Sequence, residues 1–113
     1  MPTREAPGLD ASGQAPIFAA LGDEMRLRIV LRLVDEGPQS ITRLTEGTAV
    51  TRQAITKHLV VLENAGIVRG KTRGREHLWE VELARLADAR HWLEVISQQW
   101  DERLERLRAL VEE

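Results

Sequence analysis

The chain contains no cysteine. That excludes disulfides, thiolate metal sites and thiol redox sensing, and it is compatible with the cytoplasm. No stretch approaches the roughly 20 consecutive apolar residues that a membrane-spanning helix needs. The first residues lack a basic start followed by an apolar core, so no signal peptide is expected. There is no glycine-rich phosphate loop of Walker or Rossmann spacing and no convergent cluster of histidines and carboxylates. With no cysteine nucleophile either, nothing points to an enzyme or to a cofactor. An excess of charge of one sign is also lacking, and the net value of -2 argues mildly against indiscriminate nucleic-acid binding.

What is present describes one soluble domain: 113 residues, 42% hydrophobic and 30% charged, enough for a real core but not for two. The distribution of charge says more than its sum. Residues 40–79 carry seven basic side chains against three acidic ones, a net +4. Residues 80–113 carry five arginines against nine carboxylates, a net -4. A local basic patch on a chain of low net charge is the footprint of a specific DNA reader.

Residues 1–14, with Pro2, Pro7, Gly8 and Ser12 and little apolar content, are expected to form a disordered tail ahead of a single domain over 15–113. A short helix follows, with Ile17, Phe18 and Leu21 facing inward and Gly22 breaking it. Asp23 is placed to cap a second helix whose apolar face is Met25, Ile29, Val30, Leu33 and Val34. Gly37-Pro38 ends it. Ser40 is placed to cap a third, short helix with Ile41 and Leu44 inside, and Gly47-Thr48-Ala49-Val50 is a tight connection.

The stretch Thr51-Arg52-Gln53-Ala54-Ile55-Thr56-Lys57-His58-Leu59-Val60-Val61-Leu62-Glu63-Asn64-Ala65-Gly66 reads as a helix with both ends marked. Thr51 is its N-cap and Gly66 the left-handed residue after its last turn. Ile55, Leu59 and Leu62 recur on one face, which is therefore buried. Arg52, Gln53, Thr56 and Lys57 occupy the other face in the first two turns, all potential donors and none acidic. Such a surface can reach base edges and phosphates in a major groove. A solvated polar face would look the same in isolation, so the surroundings decide. Two short helices, a turn containing glycine and a polar second helix make a helix-turn-helix.

Extended segments on either side of Arg73-Gly74 then form a hairpin, with His77, Trp79 and Val81 on one side of its second strand. A hairpin directly behind a recognition helix is a wing. Arg73 and Arg75 near its tip suit phosphate or minor-groove contact, although exposed hairpins also carry arginines for solubility. The last segment, 83–111, is one helix of roughly 40 Å at ~1.5 Å per residue. Leu86, Ala89, Leu93, Ile96, Trp100, Leu104, Leu107 and Val111 form a seam close to coiled-coil spacing, too long for one small domain to cover. It is expected to pair with a second protomer, with Phe18, Leu93, Ile96, Trp100, Leu104 and Leu107 as dimerisation residues. Trp92 lies off the seam, suited to packing on the first helix or on the wing. The expected fold is thus mainly α (α+β): a winged helix-turn-helix with a β-hairpin wing and a long C-terminal dimerisation helix.

Three stretches resemble the ArsR family of small winged-helix repressors, from about residue 17 to the end. Ala20-Leu21-Gly22-Asp23-Glu24-Met25-Arg26-Leu27-Arg28-Ile29-Val30 resembles the family's Ala-Leu-x-Asp-Pro-x-Arg opening, with Glu24 where proline is usual. The stretch 51–66 with Ile67-Val68 resembles its recognition helix, Ser/Thr-x-His-Leu-x-x-Leu-x-x-Ala-Gly-Leu/Ile-Val. Trp100-Asp101-Glu102-Arg103-Leu104 with Leu107 is similar to a metal-independent branch often found beside genes for START-like (SRPBCC) proteins. The resemblance implies a cytoplasmic homodimer that binds a double-stranded operator near its own promoter and represses transcription. Its DNA contacts map onto Thr51, Arg52, Gln53, Thr56 and Lys57, with Arg73 and Arg75 on the wing.

Arsenic and cadmium sensors of that family place cysteines on the third helix; here that stretch is Ser40-Ile41-Thr42-Arg43-Leu44-Thr45-Glu46. Zinc and nickel sensors use histidines and carboxylates of the last helix from both protomers. Asp88, His91 and Glu94 have ligand-type side chains, but the second pair further along is missing, so no metal is expected. His58 is read as structural, hydrogen-bonded at the domain surface, and His77 as a packing residue of the wing. An unidentified small-molecule ligand stays open. A metal- or ligand-responsive sensor and a winged helix used only for protein interaction are the alternatives to a plain repressor.

Overall fold

Three polar side chains start three helices. Asp23, Ser40 and Thr51 each accept a hydrogen bond from the backbone N–H three residues on, Arg26 (3.1 Å), Arg43 (3.2 Å) and Ala54 (3.1 Å). The computed structural model describes residues 11–112, with α1 (Ala11–Leu21), α2 (Glu24–Glu36), α3 (Ile41–Thr45), α4 (Arg52–Asn64), β1 (Val68–Arg73), β2 (Glu76–Val81) and α5 (Leu83–Glu112). Helix α1 starts at Ala11, inside the stretch expected to be a tail, and runs through Pro16. The remainder of that tail, 1–10, lies outside the described residues.

The Asp-x-x-Arg of the second helix joins two elements at once. Asp23 caps α2, while the Arg26 guanidinium turns back and donates from Nε to the carbonyl of Ala20 and from Nη2 to that of Ala19 (3.4 Å). It thereby satisfies the Ala20 carbonyl at the end of α1 and shares that of Ala19 with the Gly22 N–H (3.2 Å). The Asp23 carboxyl is held below its ordinary value, chiefly by the Arg26 backbone N–H and further by the Arg26 and His58 charges. Its contribution is therefore present above the ordinary carboxylate range and lost as pH falls through the depressed value.

Burial follows the periodicity. Ile17 and Ala20 of α1, Ile29, Val30 and Leu33 of α2, Leu44 of α3 and Ile55, Leu59 and Leu62 of α4 form one cluster with Ile67, Val68, Trp79 and Ala89. Phe18, Leu21, Met25 and Ile41 are only partly buried at its edge. Val34 is a correction: it is 56% exposed and lies with Leu27 and Leu31 on the outward side of α2. The face expected from spacing was too wide. Ile29, Val30 and Leu33, with Met25 partly buried, make up the inward face of α2, and at about 100° per residue Val34 falls beyond its edge.

The end of α4 fixes where the wing begins. The Ile67 N–H donates to the Leu62 carbonyl (2.9 Å), and Gly66 has φ 77°, the left-handed conformation that lets the chain leave the helix abruptly. Two residues later the chain is already in β1, which pairs antiparallel with β2 in the register Val68↔Val81 to Arg73↔Glu76. Gly74 (φ 63°) and Arg75 form the two-residue turn, glycine first, as in a type II′ hairpin. Arg75 thus belongs to the turn rather than to the second strand. The other edge of β2 is held by Gln39, whose backbone exchanges two hydrogen bonds with Trp79 (3.0 and 2.8 Å). Trp79 sits in the core at 8% exposure, with the His77 ring tilted against it at 5.1 Å.

Helix α5 runs on for 30 residues, about 45 Å at ~1.5 Å per residue. Of them only Ala89 is buried, and Trp92 packs on Phe18 of α1 with ring centroids 5.5 Å apart.

Candidate nucleic-acid interface

Because Ile55, Leu59 and Leu62 hold α4 to the core, the first turns of the helix must turn Arg52, Gln53, Thr56 and Lys57 outward. All four are exposed and together line one shallow depression of the surface. Thr51 is committed to the backbone as the cap, which leaves its side chain a structural task first.

Two of the four are partly engaged within the protein. The Thr56 hydroxyl donates to the Arg52 carbonyl at 2.8 Å, so it offers a partner an acceptor oxygen and a methyl rather than a proton. Arg52 Nη1 donates to Thr42 Oγ1 at 2.8 Å, which draws the guanidinium toward α3. There it joins Thr42, Arg43, His77 and Leu78 in the lining of a cleft between the helix pair and β2. Its other N–H groups remain available, so it suits a phosphate beside the groove as well as a base within it. Gln53 and Lys57 make no such internal bond among the described residues.

Not every cation of the basic segment is equally available. Arg69 is tied to its cross-strand partner Glu80 at 2.8 Å and to Glu82 at 3.4 Å, and the Glu80 hydrogen bond raises its pKa further. Arg43 lies 3.8 Å from Glu46. Among the described residues Lys57, Lys71, Arg73 and Arg75 take part in no ion pair. Lys71 belongs with the wing arginines, although the position of the hairpin tip in the sequence points only to Arg73 and Arg75. Strand alternation puts residues 71 and 73 on the same side of β1, and that period of two was the signal available for finding it.

The other candidates fall elsewhere. His58 is half-buried and faces α2, with Nδ1 3.9 Å from Asp23 Oδ2, too long for the hydrogen bond expected of it. Asp88, His91 and Glu94 are exposed along α5, and Arg90 pairs with Glu94 at 3.1 Å. Among the described residues no group of three or more His, Cys, Asp or Glu is close enough to hold a metal ion. Phe18, Leu21, Leu86, Ala89 and Leu93 line an open, largely apolar groove between α1 and α5. Beyond it Ile96, Trp100, Leu104 and Leu107 continue exposed along α5.

Residues 21–71, from the end of α1 into β1, match the model described as a Helix-turn-helix domain. The chain is 42% identical over 65 residues to the uncharacterised HTH-type transcriptional regulator YuzN of Bacillus subtilis, covering 52% of this chain and 71% of that one. It is 37% identical over 87 residues to the HTH-type transcriptional repressor SmtB of Mycobacterium tuberculosis, 77% of this chain and 57% of the relative. The fold matches the ArsR-like transcriptional regulator from Rhodococcus sp. RHA1 with a TM-score of 0.80 at 36% identity, over 88% of this chain and 92% of that one. The chain belongs to the ArsR family. An ArsR-family winged helix-turn-helix is a DNA-binding transcriptional regulator, not an enzyme, and α3, α4 and the β1–β2 hairpin are its parts here. No helix among the described residues is long and apolar enough to cross a membrane.

Proposed function

We propose that this ArsR-family repressor acts as a homodimer on a palindromic operator near its own promoter, within the cytoplasm. In this reading the α4 helices of two protomers enter successive major grooves, about 34–36 Å apart. The observation that carries it is the first half of α4: four exposed side chains able to bind DNA, no carboxylate among them, beside a wing whose Lys71, Arg73 and Arg75 are not neutralised. Gln53 and Lys57 are the base readers, Arg52 and the wing the anchors, and Thr56 sits between these roles.

Binding to a selected duplex and to a scrambled one separates reading from anchoring. Gln53→Ala is expected to cost about 1–3 kcal/mol on the selected duplex and much less on the scrambled one, because a glutamine makes a bidentate contact with one base. Equal losses on both duplexes would make Gln53 an anchor and refute its assignment.

Arg73→Ala should weaken both duplexes alike. It should also flatten the dependence of log K on log salt by about 0.9 for the one phosphate contact removed. An unchanged slope would mean that the wing tip does not touch the backbone.

A further inference from the structure

Gln53, Thr56, Lys57 and Val60 share one face of α4 at the spacing i, i+3, i+4 and i+7. At about 100° per residue, Val60 falls between Thr56 and Lys57 in angle and one turn further along. It is 44% exposed and lies outside the core cluster, whose α4 members occupy the opposite face. Val60 is thus a half-exposed apolar side chain at the end of the polar run, and it is not among the residues packed against the core.

The run from Gln53 to Val60 is ~10 Å long, about three base-pair steps, which a helix lying along a major groove can follow with one face. Beyond Val60 the helix carries exposed Glu63. A carboxylate there is repelled by the phosphates, so close contact ends at Val60. Base edges in the major groove present hydrogen-bonding groups that valine cannot satisfy, with one exception. The 5-methyl group of thymine is apolar.

We propose that Val60 is a specificity-determining residue that selects thymine at one fixed position of each half-site by packing on its 5-methyl group. The inference rests on α4 as the reading helix and adds an apolar contact to its polar set. 5-Methylcytosine presents the same methyl group and would be tolerated there, whereas unmodified cytosine would not.

Duplexes selected from a random pool by the wild-type protein provide the test. Deoxyuridine in place of thymine removes the methyl group alone. Made at that position in one half-site only, the change should weaken wild-type binding about fourfold, the effect of one methyl leaving an apolar contact. Val60→Ala should discriminate thymine from deoxyuridine less than the wild type at that position, because its shorter side chain loses most of the contact, while keeping wild-type discrimination at the others. Alanine is the better helix former and Val60 is exposed, so the variant should fold. Wild-type indifference to deoxyuridine at every position, or undiminished discrimination by Val60→Ala, overturns the proposal. A wild-type protein that selects no sequence at all overturns the reading role of α4 as well, and so tells the two failures apart.

Discussion

Trp79→Ala is expected to lower the stability of the protein by about 3–5 kcal/mol, the range for removing a buried tryptophan. Against a typical total of about 5–15 kcal/mol this is a large fraction. The indole is 8% exposed and belongs to the same cluster as Leu33, Leu62 and Ile67. Its backbone also pairs with Gln39 on the edge of β2 away from β1. The residue thus anchors the wing to the helical body through both its side chain and its main chain, and truncation removes the first. With an urea m-value of about 2 kcal/mol/M, the unfolding midpoint should fall by about 2 M at equal protein concentration. Where the variant stays folded, the hairpin should lose its fixed position. Arg73 and Arg75 would then contribute less to DNA binding, although neither has been changed. A midpoint within about 0.5 M of wild type would show that the indole is not a core residue.

The depth of Trp79 illustrates what the sequence could not convey. Alternation placed His77, Trp79 and Val81 on one side of a strand, but His77 is exposed and Trp79 buried. What separates them is the distance of each from the helical body, set by contacts remote in sequence such as Gln39 with Trp79. Gln39 carried no local signal. It is a polar residue at a helix-breaking junction, and its burial follows from pairing with a strand some 40 positions away. Local chemistry, by contrast, was readable. Asp23, Ser40 and Thr51 cap the helices they were assigned, and Gly66 adopts the left-handed conformation that the end of α4 needs.

The interface shows the same division. Helical periodicity was enough to put Arg52, Gln53, Thr56 and Lys57 on the outside of α4. It could not show that Arg52 leans on Thr42, because that bond joins two helices. Nor could a count of basic residues distinguish Arg69, neutralised across the hairpin by Glu80, from Lys71 on the same strand. The availability of a charge depends on register, and register is fixed only when both strands are in place.

Leu104→Glu should turn the protein into a folded monomer and reduce operator affinity on the order of 10²–10⁴-fold, the advantage lost when two linked sites become one. The argument starts from what α5 leaves uncovered. Leu93, Ile96, Trp100, Leu104 and Leu107 are 37–58% exposed at the three- and four-residue steps of a seam, and the protomer's own core reaches only to Ala89. An apolar stripe of that length on a solvated helix is covered most simply by its copy in a second protomer. Burying one leucine is worth about 1.5–3 kcal/mol, and a two-fold interface counts each such residue twice. Glutamate at this position would place two carboxylates in the apolar seam. Because Leu104 lies beyond the core cluster, the monomer itself should keep its fold. Weak, salt-sensitive binding to any duplex should also survive, since α4 and the wing are untouched. Sedimentation and duplex binding on one sample measure both halves of the expectation. A dimer of wild-type stability and affinity after this substitution would mean that the exposed stripe of α5 is not what joins two protomers.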